Sequence, residues 1–191
     1  MKSLHAMAMA IAATLALALP AQAVEFKQFQ PAGSALSFVS KQMNVPVEGQ
    51  FKSFRSTIVF DPAKPAAAKA ELEIDMASID AGSKDANDEV AGKAWFNTKA
   101  FPTAKFVAAS VKPLGNNRYE VAGKMSIKGK TLDLTTPVTV RQNGNAATFE
   151  GSLVIKRADY GIGDGIWADF GTVANEVQIK FRLVASAAAG K

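Results

Sequence analysis

Asp159, Asp164 and Asp169 are the residues whose type and proximity could carry acid–base chemistry, since glycosidase-type hydrolysis requires two carboxylates working as a pair. Their spacing matches that of ordinary loop acids, so hydrolysis is the least favoured of the functions considered. Between them runs Gly161-Ile162-Gly163-Asp164-Gly165-Ile166, which fails as a dinucleotide-binding loop: Ile166 stands where the third glycine belongs, and the flanks are strands with no βαβ unit. Glycines serving positive φ explain it better. Asp85, Asn87 and Glu89 open like an EF-hand, but Val90 occupies the position of the sharp-turn glycine and no bidentate glutamate follows. Helix capping is the better account of these residues. No serine or lysine occupies a recognisable nucleophile elbow.

The residues that are missing exclude more. The chain has 1 histidine, His5, and 0 cysteines. Lys2, the almost uncharged run from Ser3 to Pro20, and Ala21-Gln22-Ala23 form a secretory signal peptide with cleavage expected after Ala23. As a membrane anchor the run is borderline in length and wrongly flanked, and no second apolar span follows. Cleavage removes His5, and with it the usual neutral-pH base; the usual thiol nucleophile and the common ligands of zinc, copper and haem are lacking too. The mature protein is therefore expected in the periplasm or secreted, without disulfides, held together by burial alone. Lysine and arginine exceed aspartate and glutamate by 22 to 17, but they scatter along polar strand faces (Lys124, Lys128, Arg141, Lys156, Lys180, Arg182) and form no nucleic-acid-binding run.

The elements that must carry any site are strands. From Arg118 to Val140 the apolar row Tyr119, Val121, Gly123, Met125, Ile127 gives way, after a turn at Gly129, to Leu132, Leu134, Thr136, Val138, Val140. Period two on both sides of a tight turn makes a hairpin with one apolar face. Similar alternation marks 24–30, 35–39, 47–51, 53–60, 68–74, 105–111, 149–156 and 177–183, with Pro31 and Gly33 interrupting the first two. One short helix is predicted between Ser83 and Ala94, followed by Trp95, Phe96 and Phe101, which either plug one end of the sheet or anchor a long connection. About eight strands and one helix make an eight-stranded antiparallel barrel the preferred all-β architecture, with a two-sheet sandwich as the alternative. The predicted organisation is a signal peptide over 1–23, one barrel domain over 24–185, and a flexible tail over 186–191. Small residues on the inward rows, Gly123 and Gly151, either leave a hollow or are covered by large neighbours; periodicity does not decide between them.

Beyond these patterns stand Gly49-Gln50-Phe51 with Phe54, Lys93-Ala94-Trp95-Phe96-Asn97 followed by Phe101-Pro102-Thr103-Ala104-Lys105-Phe106, and Tyr119 through Lys124 with Ile127-Lys128-Gly129. Pro137-Val138-Thr139-Val140, Phe149-Glu150-Gly151 and the loop from Ile155 through Arg157, Asp159, Tyr160 and Gly161 to Trp167-Ala168-Asp169 follow. In the order and spacing of these motifs, over about residues 35–183, the chain resembles the YceI-like family of periplasmic lipid-binding proteins. The resemblance implies a lipocalin-like barrel whose apolar tunnel holds an isoprenoid chain, quinone, fatty amide or hydrophobic antibiotic, with no catalytic residue, metal or resident cofactor. Unlike some relatives, this chain has no histidine in the helical connection. The lining set implied for such a ligand is Phe38, Phe54, Ile58, Leu72, Ile74, Trp95, Phe96, Phe106, Tyr119, Val121, Met125, Leu134, Phe149, Leu153, Tyr160, Trp167, Ile179 and Phe181. Arg157 is the candidate for a polar headgroup contact at the mouth, with a salt bridge to Asp159 or Asp169 as the favoured alternative role. The expected partner is a lipophilic small molecule and no nucleic acid; transient contact with a membrane surface and pairing into a homodimer stay open. A solid-cored interaction module or stress protein without a lipid is the alternative reading.

Overall fold

The computed structural model describes residues 24–187, so the signal-peptide reading of 1–23 lies outside the described residues. In chain order the strands are β1 (Phe26–Gln42), β2 (Val45–Phe51), β3 (Phe54–Val59), β4 (Lys69–Asp75), β5 (Ile79–Asp80), β6 (Thr103–Gly115), β7 (Arg118–Ile127), β8 (Lys130–Asn143), β9 (Ala146–Lys156) and β10 (Glu176–Ala187). Helix α1 (Lys84–Ala91) lies between β5 and β6. Every pairing is antiparallel, and the order β3-β4-β6-β7-β8-β9-β10-β1-β2-β5 describes one curled sheet, not a sandwich.

Alternation decides which way this sheet curls. In β7, Tyr119, Val121, Gly123, Met125 and Ile127 are buried while Arg118 and Lys124 face water. The turn to β8 is Lys128-Gly129, with φ of 48° and 76°, which is the handedness a two-residue hairpin needs. The curl closes where Phe26 N donates to Phe60 O at 2.9 Å and Phe60 N donates to Phe26 O at 3.0 Å. β1 can serve two neighbours because it slips register between Gln30 and Ala35, where Gly33 takes φ of 82°. Its first half reaches Phe60, and its second half pairs with β2. Ten strands stand in place of about eight: the segments at 24–30 and 35–39 run together as β1, those at 47–51 and 53–60 remain β2 and β3 on either side of Lys52-Ser53, and β5 is a two-residue addition at the edge.

The glycines on the inward rows turn out to be covered. A Cβ on Gly151 would lie 2.3 Å from Phe181 Cζ, one on Gly49 2.2 Å from Phe38 Cζ, and one on Gly123 2.7 Å from Phe106 Cζ. Each glycine accepts an aromatic ring from the neighbouring strand, so these positions do not create the interior space. β10 takes in the first two residues of the expected tail: it runs through Ala187, with Ala185 fully buried, Ser186 opposite Ala146 and Ala187 opposite Phe26, while 188–191 lie outside the described residues. Small residues that looked featureless are there the close-packed seam beside the barrel closure.

Candidate functional site

The end of the barrel next to α1 is covered by two segments that lock together. Ser83 caps α1, its hydroxyl accepting from Ala86 N at 3.2 Å, as its position before the acidic first turn predicts. The helix stops at Ala91, short of Ala94, and the chain doubles back through Trp95 and Phe96. The carbonyl of Ala94 accepts from Gly163 N at 2.8 Å and Asp164 N at 2.9 Å, which ties this segment to the loop after β9. Trp167 Nε1 donates to Glu89 Oε1 at 2.7 Å, and the rings of Trp95 and Trp167 lie 5.6 Å apart. Lys128 Nζ, from the β7–β8 turn, donates to the carbonyls of Ala94 and Gly161 and pairs with Asp164 at 3.6 Å. The aromatic segment is thus a plug over one end of the sheet.

Arg157 fixes the other half of this cap. It is 2% exposed, and its five N–H groups all meet backbone carbonyls. Nε donates to Ala174 O at 3.1 Å; Nη1 donates to Ile162 O at 2.8 Å and Gly163 O at 2.9 Å; Nη2 donates to Trp167 O at 2.7 Å and Val173 O at 2.8 Å. Its guanidinium also lies 5.7 Å from the ring centre of Trp95 and 5.3 Å from that of Phe170. Burial pulls its pKa below the ordinary value, with the charge of Asp164 opposing. Gly163, at φ of 77°, must be glycine, since a Cβ there would sit 2.2 Å from Nη1.

The expected salt bridge of Arg157 to Asp159 or Asp169 is therefore absent: converging loop carbonyls take its donors. Asp169 is occupied within its own turn, accepting from Gly171 N, Thr172 N and Thr172 Oγ1, and the hydrogen bond from Gly171 followed by that from the Thr172 hydroxyl holds its pKa below the usual carboxylate value. Asp159 and Asp164 are exposed, and none of the three aspartates lines an interior cavity.

Beneath the cap lies a cavity of about 480 Å³, and beyond it a second of about 110 Å³. Leu36, Ile74, Met125 and Ile179 line both, forming a waist between them. The inward row of β1 grades along the larger cavity from Leu36 and Phe38 to Ser40 and Gln42, so the wall becomes polar toward the cap. Gln42 and Glu89, both wall residues, are exposed and mark the mouth. The far end is stopped by Phe60, whose ring meets those of Tyr119 and Phe149 edge-on, each at 5.3 Å.

The structure brings most of the expected lining set together. Phe38, Trp95, Phe96 and Trp167 border the larger cavity, and Ile58, Leu72, Phe106, Tyr119, Val121, Leu134, Phe149, Leu153 and Phe181 the smaller, with Ile74, Met125 and Ile179 at the waist. Phe54 and Tyr160 line neither. Phe54 follows the Lys52-Ser53 bend and packs on Phe29 at 6.1 Å; Tyr160 is buried in the turn after β9, where burial and then the charge of Asp159 push its pKa up. Sequence reasoning missed Phe51, Met76, Ile79, Ile162, Val173 and Val177 as wall residues. Phe51 and Val177 share the period-two parity of their strands and were recoverable. Met76, Ile162 and Val173 sit in turns and loops, where no period exists to read.

An antiparallel sheet closed on itself, capped at one end and hollow along apolar inner rows, is a lipocalin-like barrel. Its strands and cap coincide with a known domain: the YceI-like domain matches residues 28–185, and the chain belongs to that family. A UPF0312 protein of Azotobacter vinelandii is 28% identical over 141 residues, 69% of each chain. The match to a UPF0312 protein of Pseudomonas savastanoi, 29% identical, covers 61% of this chain and spans 64% of that relative's length. The crystal structure of Burkholderia cenocepacia BcnA superposes with a TM-score of 0.81 at 53% identity, covering 83% of this chain and all of the other. A polyisoprenoid binding domain from Saccharophagus degradans shares the fold, with a TM-score of 0.66 at 20% identity over 86% of this chain and 99% of that one.

Proposed function

We propose that this protein, after export to the periplasm, binds and carries or sequesters an isoprenoid lipid or similar amphiphile, a polyprenyl chain, a prenyl quinone, a fatty amide or a hydrophobic antibiotic, without altering it chemically. The observation that carries this reading is the pair of apolar cavities that share Leu36, Ile74, Met125 and Ile179 as walls, the larger with exposed Gln42 and Glu89 in its wall and the smaller bordered by Phe60. Their form suits a tail threaded inward with a polar head left at the cap. The energetics are sufficient: burying about ten methylenes contributes roughly 8 kcal/mol gross, equivalent to about micromolar affinity, from which ordering the chain subtracts a part. Membership of the YceI-like family supports the reading, as does the binding property named for the Saccharophagus degradans domain.

Both tryptophans of the chain, Trp95 and Trp167, border the larger cavity and serve as reporters. Titration of delipidated protein with a prenyl quinone is expected to quench their emission saturably, at one ligand per chain and about micromolar or tighter affinity. An emission unchanged by quinone, with no ligand retained on gel filtration, would overturn the reading.

A further inference from the structure

The most exposed large apolar side chains of the described residues gather where the larger cavity opens. Ile166 is 85% exposed, Met43 70% and Val45 62%, the three highest; Phe170, at 51%, adjoins them, while Leu114 at 54% near the end of β6 and Val154 at 53% on β9 stand apart from this rim. None of the four at the rim lines a cavity, yet each adjoins one that does or is fastened to one. Met43 follows Gln42 at the mouth, and Val45 pairs with Gln42 across the β1–β2 turn. Ile166 precedes Trp167 in the cap. The two loops are joined: Met43 N donates to Thr172 O at 2.9 Å, Gln42 bridges Val173, and Ala174 N donates to Lys41 O at 2.9 Å. Phe170 rests on the Arg157 guanidinium beneath it. Two turn tips, held rigidly together, thus project apolar side chains beside one opening.

We propose that this rim is a docking surface for a lipid bilayer, and that ligand passes between bilayer and cavity while the rim is inserted. The inference rests on the lipid-binding reading above. The physical case is that an isoprenoid crossing open water gives up, methylene by methylene, the free energy that the cavity supplies, so a mouth pressed to the membrane avoids the largest barrier to transfer. Isolated apolar residues on protruding turns suit a fluid interface, which needs no shape complementarity, better than a folded protein partner, which needs a packed central patch. The flanking charges are mixed, with Lys41 and Lys130 against Asp164 and Asp169, so apolar insertion carries the contact and attachment is brief.

The test compares the protein with the variant M43S/I166S, which leaves the cavity walls and the Arg157 contacts untouched. Phosphatidylcholine vesicles containing a prenyl quinone are mixed with delipidated protein and Trp quenching is followed in time. The protein is expected to take up quinone at a rate proportional to vesicle concentration, and the variant at least tenfold more slowly, while both bind quinone delivered from detergent micelles with the same affinity. Equal vesicle rates for the two proteins, or a rate independent of vesicle concentration, overturn the docking surface and leave lipid binding standing. Failure of both proteins to bind detergent-delivered quinone overturns lipid binding itself, and the docking proposal with it. A protein partner in place of the bilayer is indicated, and the proposal lost, if vesicle uptake is unaffected but the variant alone fails to associate with itself or another chain.

Discussion

Arg157→Met is expected to lower the unfolding midpoint by about 10 °C, the largest loss for any single substitution outside the barrel strands. The carbonyls of Ile162, Gly163, Trp167, Val173 and Ala174 all accept from that one side chain, and methionine leaves them without its donors, with the bonds to Ile162, Gly163 and Val173 buried and those to Trp167 and Ala174 part-buried. Each buried unsatisfied group costs roughly 1–3 kcal/mol; with local opening of the loop recovering part, a net loss of about 4 kcal/mol follows. At about 2–4 °C per kcal/mol for a domain of this size, the midpoint falls by the amount given. Arg157→Lys should recover little, because a point-like ammonium with three donors cannot span carbonyls arranged around a planar fork. Calorimetry gives the midpoint, and limited proteolysis should show new cleavage between 161 and 175 below the global transition. A methionine variant melting within about 2 °C of the parent would mean that the loop is held by its own packing.

The second large effect is on ligand length. Met125 lines both cavities, so Met125→Trp is expected to close the waist and confine ligands to the larger one. A chain long enough to occupy both loses about four methylenes of burial at about 0.8 kcal/mol each, or about two-hundredfold in affinity. A chain short enough for the larger cavity should bind within about threefold of the parent. Enlarging a side chain in a packed core costs roughly 1–3 kcal/mol of stability; hollow space on both sides of Met125 should keep the cost toward the low end. A series of prenyl quinones of increasing length, titrated against both proteins, separates the cases. Parallel loss at every length would mean that the smaller cavity takes no part.

What could be read from the sequence, and what could not, divides by range. The β7–β8 hairpin, the turn at Gly129 and the Ser83 cap are local: each depends on residues within a few positions, and each stands where the pattern places it. β1 shows the limit. Pro31 and Gly33 read as a break, yet β10 pairs with both halves and carries the strand across the slip. Gly123 and Gly151 read as room or as filled, and only the rings of Phe106 and Phe181 on adjacent strands decide for filled. Arg157 was misread for the same reason. Nearby acidic residues are visible in a sequence, whereas five backbone carbonyls folding around one guanidinium have no residue type to announce them.

The central claim is that the hollow beneath the cap exists to hold a lipid tail, and native mass spectrometry of protein exported by bacterial cells and purified without detergent tests it most directly. The account expects a mass above that of the mature polypeptide, lost on organic extraction, with the extract yielding a long-chain apolar molecule. The bare polypeptide mass alone, with an empty extract and no mass gained on incubation with prenyl quinone, would contradict it.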